Sequence, residues 1–505
     1  MNERLAEQLA LLPNYLSHHI ALTVSALVIG IIICLPLAAL VTRVKALQWP
    51  VLTFASVMQT IPGIALLALM VPLLGQIGAL PALIALVLYS MLPMIRNTVT
   101  GILDIDPALT EAARGAGMTS GQSLRLVELP LAAPVIIAGI RTSAVWIVGT
   151  ATLATPVGAT SLGNYIFSGL QTQNYTSVIV GSVSAATLAI ILDQFIHLIE
   201  SAVRERKRAL AYGISAILFA LLLAGLAPLL QRSGSSGKEH IVIGAKTFTE
   251  QYILAEVMSE ILTDEGFDVE VRSGMGSTIL FEALVNNDVD CYIDYSGTIW
   301  ANYMQRKTAP KGDTILTQLT RWLDKQYQVK CLGSLGFENT YALAVKRSFA
   351  EEKHLKSVAD LSQLSRTMKM GSDYEFFGRP EWESLRDTYN LRFIDLLSMD
   401  HSLMYAAIDE GAVNVIAAYS TDGSIAAFDL VTLADPERAL PPYEATLLLS
   451  PEASKNPLLI DALKELIGSI TAEQMRSANK AVDLDGLSVS QSANRLRETL
   501  ISVHK

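Results

Sequence analysis

The chain has 505 residues, roughly three typical domains' worth of sequence, so more than one folding unit is expected. Its charge is uneven: residues 1–237 carry 12 Lys/Arg against 9 Asp/Glu, and residues 238–505 carry 26 against 39, a net of +3 followed by a net of −13. The first part holds four uncharged runs of 23 to 51 residues (Gln8 to Thr42, Ala46 to Ile95, Thr142 to Leu192, Ala209 to Gln231), each longer than the ~20 residues that cross a bilayer. A soluble enzyme and a disordered segment are thereby excluded for this part, and nothing in the chain is basic enough for a nucleic-acid partner.

Six spans are expected in chain order, near Leu16–Val41, Val51–Leu74, Ile77–Ile95, Ala132–Val157, Thr176–Leu198 and Ala209–Leu229. Arg43 and Lys45 follow the first, Arg96 ends the third, and Arg204, Arg206, Lys207 and Arg208 follow the fifth. The loops Gly75–Gln76 and Ala159–Tyr175 contain neither Lys nor Arg. Basic residues mark the cytoplasmic side, so the N-terminus starts outside, with Arg4 as the basic residue left there, and the chain emerges outside after Leu229. The acidic part is then extracytoplasmic. The N-terminus lacks the charged start and short apolar core of a cleaved signal, so the first span is expected to stay in the membrane. Arg141, Asp193 and His197 lie within spans, where ionisable groups face a protein interior or water. Asp193 and His197 are four apart on one helix face, which fits a packing pair.

The longest cytoplasmic loop reads Glu111-Ala112-Ala113-Arg-Gly-Ala-Gly117 and, nine residues on, Val127-Glu-Leu129-Pro130. Pro107 to Arg114 can form a short helix, Gly117 permits a tight turn, and Pro130 opens the next element. The pattern resembles the EAA loop of ABC importer permeases. By that resemblance Glu111, Ala112, Ala113, Gly117, Leu129 and Pro130 couple the membrane domain to a nucleotide-driven partner.

Gln231 to Lys238 is a polar Gly/Ser-rich connector. Beyond it, strands are expected at Ile241–Ala245, Val269–Arg272, Cys291–Tyr295, Tyr341–Val345, Val413–Tyr419 and Leu430–Leu433. Helices are expected at Glu250–Leu262, Thr278–Asn286, Asp313–Tyr327, Ser402–Glu410 and Leu458–Ile470. Thr247-Phe-Thr-Glu250 has the spacing of a capping box. The alternation argues an α/β domain with a mainly parallel sheet, long enough for two lobes. The expected organisation is a helical membrane domain over 1–230 with its coupling loop at 107–130, a linker at 231–238, and a two-lobed α/β domain over 239–505.

The motifs Ile241–Gln251, Phe281–Asp290, Asp294–Thr298, Glu338–Val345, Ala418–Gly423 and Pro441–Ala445 resemble, in this order, the substrate-binding protein of the glycine betaine/carnitine/choline (osmoprotectant) ABC importers, here fused behind its permease. The resemblance implies two lobes closing on a ligand and a multi-pass protein of the bacterial inner membrane with its C-terminal domain periplasmic or extracellular. A trimethylammonium has charge but no N–H, so aromatic faces suit it, each contributing ~0.5–2 kcal/mol. Tyr295, Tyr341, Tyr419 and Tyr443 lie in motifs resembling those that carry the family's ligand cage. For the ligand's other end, Gly274–Thr278 precedes a helix whose positive end suits a carboxylate, and by resemblance Ser277, Thr278 and Thr298 are the candidates. Lys246 and Arg379 are alternatives. The stretch Asp373–Trp382 departs from the family pattern after Arg379-Pro380, which leaves ergothioneine, another trimethylammonium betaine, open as the ligand.

No GxxxxGK[ST] loop occurs, so ATP is expected to be used by a separate cytoplasmic ABC ATPase subunit, with no cofactor, no catalytic residues and no metal site in this chain. Cys291 and Cys331 could form a disulfide or remain two thiols. The sequence therefore reads as an importer subunit that captures and translocates a small quaternary-ammonium solute (glycine betaine, choline, carnitine or similar), and the resemblance implies that it pairs as a homodimer. A solute-sensing receptor would need a cytoplasmic output domain, and the longest inner segment is a short loop.

Overall fold

The computed structural model describes residues 2–172, 174–232, 238–306 and 314–503; the expected linker falls largely outside them, as does Asp313. The chain divides into two compact units, Met1–Phe167 with Thr176–Ser236, and Ser168–Tyr175 with Gly237–Lys505.

The first unit is helical. Among its described residues, Gln8–Arg43, Ala79–Leu103, Ser120–Val157 and Tyr175–Arg204 are long and apolar enough to cross a membrane, and the helix Arg208–Arg232 follows. The second expected span is not a straight crossing. It consists of the helices Lys45–Thr60 and Gly63–Leu74, bent by 104°. The cause is local: Pro62 pushes Ile61 into an extended conformation (ψ 128°), which no α-helix accommodates.

The loop after Ala79–Leu103 folds as its residues suggest. Asp106 caps the helix Pro107–Gly115 by accepting from the Ala108 amide at 2.9 Å. Gly117 takes a left-handed φ of 81°, which lets the chain reverse, and Pro130 lies in the first turn of the helix Leu129–Ala151. Glu111, Ala112 and Gly117 are exposed, whereas Ala113 packs inward. The buried Glu128 fixes the base of the loop through an ion pair to Arg43 and a 2.8 Å bond from the Ser123 hydroxyl.

The second unit has two five-stranded sheets. One has the order β2-β1-β3-β10-β4, with β1 His240–Lys246, β2 Asp268–Met275, β3 Cys291–Tyr295, β4 Lys330–Glu338 and β10 Glu444–Leu449. The other has the order β7-β6-β8-β5-β9, with β5 Tyr341–Lys346, β6 Lys369–Ser372, β7 Asp395–Ser398, β8 Val415–Tyr419 and β9 Leu430–Thr432. Both sheets are mixed rather than mainly parallel: β10 runs antiparallel to β3 and β4, and β5 antiparallel to β8 and β9. The chain leaves the first lobe between β4 and β5 and returns before β10, and the returning strand inserts against the direction of its neighbours.

One local expectation fails here, and one open alternative is decided. The helix Thr249–Asp264 starts from Phe248 without a side-chain cap, because Glu250 is buried and bonded elsewhere. Cys291 and Cys331 are free thiols. Strand β10 lies between their strands, and two strand spacings of ~4.8 Å put the chains beyond the ~7 Å Cα limit of a disulfide.

Gly117 has open space around its Cβ position, so only its φ forbids a side chain. Gly117→Val is expected to abolish uptake while leaving solute binding intact, as read by transport and calorimetry on the same protein; normal uptake would remove this turn from coupling.

Candidate functional site

The four tyrosines sit where the two lobes join. Tyr295 ends β3 and Tyr419 ends β8, while Tyr341 opens β5 and Tyr443 immediately precedes β10. Strand register brings them close: Tyr341 pairs with Tyr419, and Ala445 with Tyr295. The two lobe connections run side by side, tied by the Asn339 amide donating to the Tyr443 carbonyl at 2.9 Å.

Tyr341 lies 4.9 Å from Tyr419 and 5.8 Å from Tyr443, centroid to centroid, the latter edge-on. Phe248 stacks on Tyr419 at 5.3 Å and reaches Tyr295 at 6.0 Å, so five rings form a continuous arc. His401 flanks Tyr419 at 5.2 Å. Asp373 sits at the middle of the arc, its Oδ2 accepting from the Tyr419 hydroxyl at 3.0 Å and the Tyr341 hydroxyl at 3.3 Å. Its Oδ1 is held at 2.8 Å by the amides of Glu375 and Phe376. Phenol groups donating to a carboxylate carry more negative ring faces, which strengthens attraction for a cation.

Arg379 is buried over Tyr341, 5.5 Å from the ring centroid, and ion-paired to Glu375. Its Nη2 also donates to Ser277 Oγ at 3.3 Å, while its Nε is buried with no partner among the described residues. The Arg379 guanidinium holds the Glu375 carboxyl below the usual range even though burial pushes the other way. Ser277 Oγ donates to Glu375 at 3.3 Å at the start of the helix Ser277–Val285. The anion expected there from a ligand is thus supplied by the protein's own Glu375. Tyr443 donates to the buried Glu381 and lies flat on Gly297, where a Cβ would meet its ring at 2.5 Å.

Of the sequence candidates, Tyr341, Tyr419, Tyr443, Arg379 and Ser277 are brought together directly, and Tyr295 joins through Phe248. Lys246 lies 5.5 Å from the Tyr295 centroid, its charge matched by Asp294 at 2.5 Å. Thr298 is buried one residue past Gly297, whereas Thr278 is exposed. Phe248, Asp373, His401 and Glu250 were not legible beforehand. Phe248 and Glu250 fall inside the motif Ile241–Gln251 and Asp373 inside the departing stretch Asp373–Trp382, but nothing in a single sequence separates them from their neighbours.

Glu250 accepts four bonds: from the Tyr295 hydroxyl (2.6 Å), Asn339 Nδ2 (2.9 Å), the Thr421 hydroxyl (2.5 Å) and Asn479 Nδ2 (3.2 Å). These donors come from the first lobe, the connection and the second lobe. Burial pushes the Glu250 carboxyl above its usual range, and the four donors only partly oppose this. Nearby, burial raises Asp483 to about 7 against a 2.7 Å bond from the Thr249 hydroxyl, with Asp422 adding to the rise.

A helical membrane unit with a loop of the EAA pattern, continued into a two-lobed domain with its candidate site at the lobe junction, fits a binding-protein-dependent importer. Residues 20–205 match the inner membrane component of binding-protein-dependent transport systems, and residues 239–497 match the substrate binding domain of ABC-type glycine betaine transport systems. The chain belongs to this family, with permease and substrate-binding domain fused in one polypeptide. It is 30% identical to the ergothioneine transport permease/ergothioneine binding protein EgtU of Helicobacter pylori (strain G27), over 88% of this chain and 81% of that one. The permease part is 45% identical to the glycine betaine/carnitine/choline transport system permease protein OpuCB of Bacillus subtilis (strain 168), over 37% of this chain and 84% of that one. The binding part is 29% identical to the carnitine transport binding protein OpuCC of Listeria monocytogenes, over 50% of this chain and 83% of that one. The protein is therefore an inner-membrane importer subunit with an outward-facing binding domain, working on a small molecule with a separate ATPase.

The folded value of Asp483 lies above its ordinary 3.8, so its stabilising contribution is complete below about pH 4 and is lost as the pH rises to about 7. Asp483→Asn is expected to flatten the decline in thermal midpoint of the full-length protein across this window. An unchanged pH profile would exclude Asp483 as its source. Gly297→Ala is expected to displace the Tyr443 ring and weaken solute affinity roughly tenfold, with little change in fold, by calorimetry and circular dichroism.

Proposed function

We propose that this protein imports a quaternary-ammonium solute of the glycine betaine, choline and carnitine class. The outer domain grips the trimethylammonium among Tyr295, Tyr341, Tyr419, Tyr443 and Phe248. Two copies pair in the membrane, and the loop Glu111–Pro130 receives the motion of a cytoplasmic ATPase on each. The observation that carries the reading is the ring arc around Asp373, an electron-rich surface with an anion at its centre. Such a surface attracts a cation that cannot donate hydrogen bonds.

The solute's second end meets Arg379, whose unpartnered Nε suits an acceptor. A zwitterion must displace Glu375 from Arg379 and Ser277, whereas choline, which has no carboxylate, leaves Glu375 in place. The two cases separate experimentally. With Glu375→Gln, betaines are expected to bind more tightly and choline no better.

Ergothioneine is the second reading, favoured by the fused Helicobacter pylori relative, which matches across both parts of the chain. It is a trimethylammonium betaine and would use the same cage.

Calorimetry of the purified full-length protein with glycine betaine, choline, carnitine, proline betaine and ergothioneine tests the class and selects among its members. Tyr419→Ala and Tyr443→Ala should each weaken the best binder by about 1–2 kcal/mol, the contribution of a desolvated ring. Unchanged affinity in both would remove them from the cage.

A further inference from the structure

Within the membrane unit, Arg141 on the helix Leu129–Ala151 joins three groups on the helix Tyr175–Arg204. Its Nε lies 3.2 Å from Asp193 Oδ1, and its Nη1 lies 2.8 Å from His197 Nδ1 and 3.1 Å from Glu200 Oε2. Glu200 also accepts from Arg204 at 2.7 Å. This is more than the Asp193–His197 packing pair suggested by their spacing: both residues turn toward a cation on another helix.

Three observations bear on its role. The first is depth. Measured from the expected span ends at Ala132 and Leu198, Arg141 lies nine residues and Asp193 five residues inside, about 14 and 8 Å along their helices at 1.5 Å per residue. The second is exposure: Glu200 is buried, but the side chains of Arg141 and Asp193 are about one-third exposed and His197 half exposed. Charged groups open to hydrocarbon inside a span cost several kcal/mol, so this face is turned away from lipid. The third is chemical. Arginine only donates, so His197 Nδ1 accepts and its proton resides on Nε2, a donor on the half-exposed ring. Two cations and two carboxylates balance, with Glu200 holding both arginines from the buried side.

We propose that Arg141, Asp193 and His197 form an intramembrane solute subsite on the translocation path. A zwitterion crossing here pairs its ammonium with Asp193 and its carboxylate with Arg141 and the His197 Nε2–H, so the low-dielectric site stays neutral while the protein's own ion pair opens. The importer role of this unit is independent of the ligand class; only the ammonium end rests on the reading of the outer site.

The test uses the full-length protein with Cys331→Ser, retaining the buried Cys34 and Cys291, reconstituted with its ATPase. His197→Cys is treated with a trimethylammonium methanethiosulfonate, a thiol reagent bearing the proposed cargo's head group. The expected result is ATP-dependent modification that blocks uptake and is slowed by the solute identified in the calorimetric screen, while the parent lacking the introduced cysteine is unaffected. Asp193→Cys provides the same readout should the first variant fail to reach the membrane. In parallel, Asp193→Asn should lower uptake at least about tenfold with solute affinity of the outer domain unchanged. Absence of labelling in both cysteine variants, labelling without solute protection, or normal uptake by Asp193→Asn would overturn the subsite. Loss of solute affinity in the outer domain would instead report failure of the outer site, which the calorimetric arm reads separately.

Discussion

The site depends on two chain crossings held side by side. The Asn339 amide bond to the Tyr443 carbonyl places the outgoing connection against the returning one. Tyr341 then begins a strand on one side of that bond and Tyr443 precedes a strand on the other. Because β10 inserts between β3 and β4, the end of β3 with Tyr295 faces the same junction. The ring arc follows from topology: Tyr295, Tyr341 and Tyr419 are the last or first residues of strands, Tyr443 immediately precedes one, and Phe248 lies in the short turn after β1.

Glu250 converts that arrangement into a mechanical link. A buried carboxylate is tolerated only when fully bonded, and its four donors span both lobes and the connection. Opening the lobes by moving Thr421 away would strip one strong bond from an already disfavoured charge. The Tyr295 hydroxyl shares the same acceptor, so the orientation of a ring in the arc is tied to the state of the lobe contact. An apolar residue at position 250 would remove the cost of burial and the link together.

The strands legible in the sequence were those with compact hydrophobic runs bounded by turns, such as Cys291–Tyr295. Strand β4 contains three glycine-spaced polar positions, and β10, Glu444–Leu449, reads as readily as a helix; only pairing against β3 identifies it. The Thr247–Glu250 spacing suggested a cap because local pattern rules cannot foresee that Glu250 is claimed by residues 45 to 229 positions away. The four candidate tyrosines are visible in the sequence because they occupy recognisable motifs. Asp373 and His401 were not, since their significance comes from sharing a surface with Tyr419, and that proximity is produced by folding the second lobe.

Fusion changes the arithmetic of capture. A binding domain that diffuses freely can outnumber its permease, and encounter then depends on its concentration. Joined in one chain, the domain stays at an effective concentration of order mM whatever the expression level. Its docking affinity can accordingly be weak, because high affinity would slow release without raising occupancy. The number of capture sites equals the number of permeases, so high flux at low solute concentration has to come from the site itself and from rapid capture. The net charge of −13 on the outer portion suits that requirement, since a negative field raises the encounter rate of a cationic solute within a Debye length of the surface. A zwitterion, having no net charge, gains little from the same field and, on the proposed reading, depends on contacts at the ring arc and Arg379.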